Sequence, residues 1–130
     1  MQVLHRRREL ILGQDADGFV DLFAPDGVIE LPFAGPDMPG RLEGQTAIRE
    51  FSRRTAAAPM HIDSLEETAI YQTDDPEVVV VELAVKVTMT STGRSSNGTS
   101  IQVFRIRDGK IVLFRDYFNP RGLGELLSDG

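Results

Sequence analysis

An α+β domain, with helices first and a strongly curved antiparallel sheet after them, is what the order of hydrophobic periods in this chain predicts. Three observations carry the prediction. Apolar residues recur at helical spacing through the first third of the chain. From Met60 onward the period changes to two. The last two strand-like runs meet at Asp108-Gly109, a pair that favours a tight hairpin. The 130 residues are 41% hydrophobic, enough for one buried core, and no linker, repeat or low-complexity run divides them. Residues 1–130 are therefore read as one domain.

The first helix begins at Met1, and its Val3, Leu4, Leu10 and Ile11 form only a broken stripe around Arg6, Arg7 and Arg8. Asp15 is placed to cap a second helix, in which Ala16, Phe19, Val20 and Phe23 share one face until Pro25-Asp26-Gly27 ends it. "VIELPF", Val28 to Phe33, is a short strand closed by Pro32. "AGPDMPGRLEG" after it is a loop, too rich in Pro and Gly for regular structure. A third helix runs from about Gln45 to Arg54, buries Ala47, Ile48 and Phe51, and is finished before Pro59.

Strands fill the rest. "HIDSLEETAIYQ" is an irregular strand, and Asp74-Asp75-Pro76 turns the chain. In "VVVVELAVKVTMT" the residues Val79, Val81, Leu83, Val85, Val87 and Met89 alternate against Glu82, Lys86, Thr88 and Thr90, so one face is buried. A polar loop, "STGRSSNG", leads into the hairpin of "TSIQVFRIR" and "KIVLFRDYF".

Composition excludes several functions. A net charge of −6 repels a phosphate backbone, and neither arginine group (Arg6 to Arg8; Arg49, Arg53 and Arg54) contains a Tyr or Trp for stacking. Solvated helix faces are the simpler reading, and Glu50 four residues before Arg54 suits it. No nucleic-acid partner is expected. The absence of cysteine removes disulfides, thiolate nucleophiles and cysteine-bound metals, and two imidazoles, His5 and His61, cannot build a His-rich metal site within one chain. No run approaches the roughly 20 apolar residues of a membrane span, and "MQVLHRRREL" has no secretory pattern. A soluble, cytoplasmic protein without membrane contact is the expectation.

Three strings, "FAPDGVIELPF", "LEGQTAIREF" and "VFRIRDGKIVLFRDYFNP", resemble the SnoaL-like branch of the nuclear transport factor 2 (NTF2-like) superfamily, with likeness to the phenazine-biosynthesis A/B proteins. The resemblance spans Asp15 to Pro120. It implies a cone: a bent sheet wrapped around helices, with an apolar pocket at the open end and homodimers through the outer sheet face. The superfamily holds polyketide cyclases, a ketosteroid isomerase, epoxide hydrolases, dehydratases and members that only bind or dimerise, so the likeness specifies fold far better than reaction. It also implies that the acidic residue of the "(D/E)-aromatic-x-N-P" string, here Asp116, faces the pocket as an acid/base group. Two departures narrow the reaction. The only tyrosines are Tyr71 and Tyr117, so the first helix offers no isomerase-like oxyanion donor, and the Arg-plus-two-Asp arrangement of the epoxide hydrolases would need Arg105 inside the pocket.

Which way Asp116 faces depends on register. A two-residue turn at Asp108-Gly109 pairs Arg107 with Lys110 and sets Asp116 beside Val103 and Arg105. A type I turn with a bulge at Gly109 pairs Ile106 with Lys110, and Asp116 then joins Gln102, Phe104, Val112, Phe114 and Phe118. The second register gathers the apolar bulk on one side and is preferred. It turns Tyr117, Arg115 and Arg105 outward. A carboxyl among three phenylalanines has its pKa raised by desolvation, toward useful proton transfer at neutral pH; the alternative is an Asp that pairs with a nearby Arg and only holds the strand end.

The remaining candidates each have two readings. Glu82 either lines the pocket as a second carboxylate or sits on a dimer face. His61 has a pKa suited to proton shuttling, against a surface or capping role beside Pro59-Met60. Asn97 could orient a substrate carbonyl or simply serve the turn beside Gly98. Phe33 and Met38 bracket the Pro-rich loop expected to roof the pocket, where core packing would use the same residues. The reading that results is a small-molecule-binding protein, catalysing cofactor-free isomerisation, cyclisation or dehydration of an apolar or aromatic carbonyl compound. Asp116 is its acid/base group, Glu82 or His61 the partner, and Phe33, Met38, Gln102, Phe104, Phe114 and Phe118 the wall. The alternative is a non-catalytic ligand-binding or dimerisation module.

Overall fold

The structure, a computed structural model, describes residues 2–36 and 38–119. Two helices open the chain, α1 (Gln2–Leu12) and α2 (Ala16–Val20), followed by strands β1 (Phe23–Glu30) and β2 (Arg41–Glu43) and the helix α3 (Gly44–Ala57). Four long strands complete it: β3 (Met60–Gln72), β4 (Val78–Met89), β5 (Ser95–Arg107) and β6 (Lys110–Phe118). All six strands form one curved sheet in the order β2-β1-β6-β5-β4-β3. The predicted α+β class holds. The sheet is antiparallel except at one seam, where β1 runs parallel to β6.

Period-two alternation decides what the sheet buries. Val79, Val81 and Leu83 of β4 point inward with Phe104 of β5 and with Ile111 and Phe114 of β6. The helices cover this face with Leu4, Val20 and Ile48, all fully buried. Fully burying a residue of this kind contributes roughly 1.5–3 kcal/mol.

The second helix is shorter than its apolar stripe. Asp15 caps it as predicted, its carboxylate accepting from Gly18 N–H at 2.9 Å, but the helix stops at Val20. Phe23 keeps its place in the core from the start of β1 and packs edge-on against Phe19 at 5.3 Å. Pro25-Asp26-Gly27, read as a helix stop, lies inside β1. The β1–β6 pairing shifts there between Phe23 and Val28, so no ladder bond is required of Pro25. The presumed loop at residues 34–44 contains β2, whose Leu42 pairs with Ile29 and is buried; three residues flanked by glycines carry too little pattern to announce a strand. Gly44, at φ 84°, turns β2 directly into α3, a conformation that glycine adopts without strain.

The hairpin differs from both sequence registers. Asp108 (φ 53°) and Gly109 (φ 76°) form a two-residue turn with Arg107 opposite Lys110. An irregularity one step further on pairs Ile106 with Ile111 and Arg105 with Leu113, leaving Val112 as the extra residue. The bulge thus sits in β6 and not at Gly109, and Ile111 takes the buried place assigned to Val112. Beyond it Gln102 pairs with Asp116 and Phe104 with Phe114, so the preferred face arises by another route.

Candidate functional site

Two cavities meet at Asp116. The first, of about 240 Å³, lies between the helices and the sheet, with Leu10, Phe19, Phe51, Ile62 and Phe114 among its walls. The second, of about 210 Å³, extends over β4 and β5; Val85, Val87 and Phe118 supply apolar surface, and Thr99, Ser100 and Gln102 supply polar groups. Met60 and Asp116 border both. Asp15 also borders the first cavity, its carboxylate engaged by the α2 cap.

The Asp116 carboxylate accepts hydrogen bonds from the Ser100 hydroxyl and the Gln102 amide, both brought to it by the β5–β6 register. Burial pushes its pKa above the ordinary carboxylate range, against the opposing pull of Ser100, Gln102 and Arg7. In its neutral form the group can donate to a carbonyl oxygen; ionised, it can accept a carbon-bound proton.

Behind Gln102 stands Arg7, whose side chain is wholly enclosed by protein. Its Nη1 donates to Gln102 Oε1 at 3.0 Å, its Nη2 lies 3.7 Å from Glu67 Oε2, and its guanidinium sits 4.9 Å from the centre of the Phe104 ring. Desolvation lowers the pKa of this arginine, and the charges of Glu67 and Asp116 oppose that only in part. The solvated helix face expected of Arg6 to Arg8 fits exposed Arg6 and Arg8 but not Arg7. The sequence held a signal: Arg7 lies three residues from both Leu4 and Leu10, in the middle of the apolar stripe.

Other predicted residues scatter. Phe114 borders the first cavity, and Gln102 and Phe118 the second. Phe104 is fully buried, stacked on Phe114 with ring centres 4.8 Å apart, and acts as support. Glu82 alternates with inward Val81 and Leu83, so it lies on the outer face, accepting from Tyr71 Oη at 2.6 Å. His61 is exposed on that same side of the sheet, with Nδ1 2.9 Å from Asp63 Oδ1. Neither reaches Asp116. Asn97 is exposed within β5, opposite Lys86, and not in a turn. Phe33 is exposed against Tyr117, ring centres 5.6 Å apart, and so does not roof the cavities; Met38 packs against the core from its loop. Arg105 faces outward, hydrogen-bonded to Asp75 and Glu77, which leaves the epoxide-hydrolase arrangement without its arginine there. Asn119 borders the second cavity, and Pro120 of the same string lies outside the described residues.

Comparison with known proteins agrees with this architecture. A chain from Bacillus subtilis named as a candidate isomerase superposes with a TM-score of 0.90 at 28% identity, covering 96% of this chain and 89% of that one. A Xanthomonas campestris structure named as a candidate polyketide cyclase gives a TM-score of 0.77 at 18% identity, over 98% and 95% of the two chains, and shows the shared fold. An uncharacterized PhzA/B-like protein of Pseudomonas aeruginosa is 34% identical over 120 residues, 92% of this chain and 83% of the relative. The SnoaL-like domain profile matches residues 5–114. With an acid-bearing cavity between helices and a bent sheet, and with that match over most of its length, the chain belongs to the SnoaL-like domain family.

Proposed function

We propose that this protein binds a small apolar or aromatic molecule bearing a carbonyl group and performs cofactor-free acid/base chemistry on it, of isomerase, cyclase or dehydratase type. Asp116 gives and takes the proton. The observation that supports this reading is the placement of one half-buried carboxyl, with two neutral hydrogen-bond donors and a raised pKa, where two largely apolar cavities meet. Ser100 and Gln102 hold the carboxyl, while Phe114 and Phe118 offer ring surface on either side. The names of relatives, a candidate isomerase and a candidate polyketide cyclase, belong to the same kind of chemistry. The working unit is a homodimer joined through the outer sheet face, where Tyr71 and Ile101 stand exposed.

A non-catalytic ligand-binding or dimerisation module is the second reading. It is favoured by the size of the two cavities at Asp116, since each of them alone falls short of the roughly 300 Å³ at which small-molecule sites begin. Deuterium exchange separates the two. Neutral aromatic ketones incubated with the protein in D₂O are expected to gain deuterium at the carbon next to the carbonyl, with the rate falling by about 100-fold or more in Asp116→Asn. Ketones that raise the melting temperature without exchanging would leave the binding module as the function.

A further inference from the structure

We infer that Arg7 and Glu67 form a buried counter-charge pair that sets the proton affinity of Asp116, with Gln102 as the positioning residue between them. The functional meaning rests on the acid/base reading of Asp116; the arrangement itself rests on geometry. Arg7 donates to the amide oxygen of Gln102 at 3.0 Å. A guanidinium has donors only, so the Gln102 amide cannot turn over without facing its NH₂ to Arg7. Its NH₂ is thereby committed to the Asp116 side, where it meets the carboxylate as a donor.

The charges then fail to balance. One enclosed cation faces two carboxylates, and Glu67 is the nearer, at 3.7 Å, while Asp116 meets Arg7 through Gln102. Arg7 Nε and Nη2 and Glu67 Oε2 have no hydrogen-bond partner among the described residues, so the pair is held by charge and enclosure alone. Glu67 claims the cation. Asp116 is left as the surplus acid, the one for which holding a proton makes the cluster neutral. Among the described residues that border the two cavities, the other charged side chain is Asp15, in the turn before α2, already engaged by its helix cap. In the cavity linings, α3, β1, β4 and β5 contribute uncharged side chains only.

The test follows the Asp116 carboxyl resonance through a pH titration of the wild type, Glu67→Gln and the double variant Arg7→Met/Glu67→Gln, with Asp116→Asn for assignment. Glu67→Gln leaves Arg7 with Asp116 as its remaining anionic neighbour, and Asp116 should titrate about one unit lower, a tenfold stronger acid. The double variant removes the cation as well, and Asp116 should titrate above the wild type. Opposite shifts from two changes in one ion pair are a signature of charge, whereas loosened packing would move both the same way. Shifts in the same direction, or none, overturn the inference. Replacing a buried ion pair by neutral groups of similar volume is tolerated in other proteins; if the double variant fails to fold, Glu67→Gln alone decides, and an unmoved or raised value counts against the proposal. A wild-type Asp116 at its ordinary value would instead reject the acid/base reading, while the variant shifts would still judge the charge pair.

Discussion

The two faces of the sheet are built from the same strands, one residue out of phase, and they treat carboxylates in opposite ways. On the inner face Asp116 lies against cavities and rings, and burial drives its pKa up. On the outer side Glu77 accepts from Arg107 Nε at 2.8 Å and from Arg105 Nη1 at 3.0 Å, and these arginines pull its pKa down to about 2. Arg115 likewise donates to Glu30 at 2.9 Å. Charge outside is met by opposite charge in water; inside it is met by a hydroxyl and an amide with a cation set behind them. The lesson is that solvent access and partner type, not residue identity, separate an acid placed for chemistry from one placed for cohesion.

The sharpest contrast should come from packing. Phe104→Ala removes a fully buried ring stacked on Phe114 and should cost about 3–5 kcal/mol, while Ile101→Ala, three residues earlier in β5 and on the outer face, should cost under about 1 kcal/mol in the monomer; urea unfolding measures both. Similar losses at both positions would break the distinction between the faces.

The next effect is a crossing of pH profiles. A carboxyl whose folded pKa stands above its unfolded value imposes no burial cost while protonated, and that cost appears as pH rises through the folded value. Wild-type protein should therefore lose stability relative to Asp116→Asn as pH rises above about 4, the ordinary aspartate range. Parallel melting-temperature profiles would place Asp116 in water.

Glu77 has the reverse sign. Its folded pKa is depressed, so its contribution is present above the unfolded glutamate value of about 4.3 and disappears as pH falls toward 2. Glu77→Gln should flatten the acid limb of the stability curve between those values and leave the neutral limb unchanged in shape. The smallest change belongs to Arg115→Gln, a half-exposed ion pair whose loss should cost about 1 kcal/mol or less, shrinking further in molar salt; a cost insensitive to salt would mean that the outer face is more enclosed than the monomer shows.

Much of the fold was legible because it depends on period and on turn chemistry. The switch at Met60, the alternation of Val79 to Met89 and the Asp15 cap are local statements, and each has its counterpart in the structure. The acid of the "DYFNP" string is legible as the residue to watch, and its inner-face company of Gln102, Phe104, Phe114 and Phe118 matches the structure, whereas Val112 is the bulged residue and Ile111 takes its buried place. Glu82 and His61 were not separable from pocket residues by sequence, since a strand's alternation says which residues share a face but not which face meets the helices.

Sequence alone determined the element classes, the apolar faces, the SnoaL-like resemblance and the presence of one acid in an aromatic strand. Tertiary structure decided what that acid meets. The parallel β1–β6 seam, the three-residue β2 and the enclosure of Arg7 all depend on contacts between segments far apart in the chain: Arg7 and Gln102 are 95 residues apart. No local period encodes a partner at that distance, because the free energy of such a contact comes from joint exclusion of water by both segments. Only when α1 closes over the sheet does an arginine in an apolar stripe become the fixed charge behind Asp116.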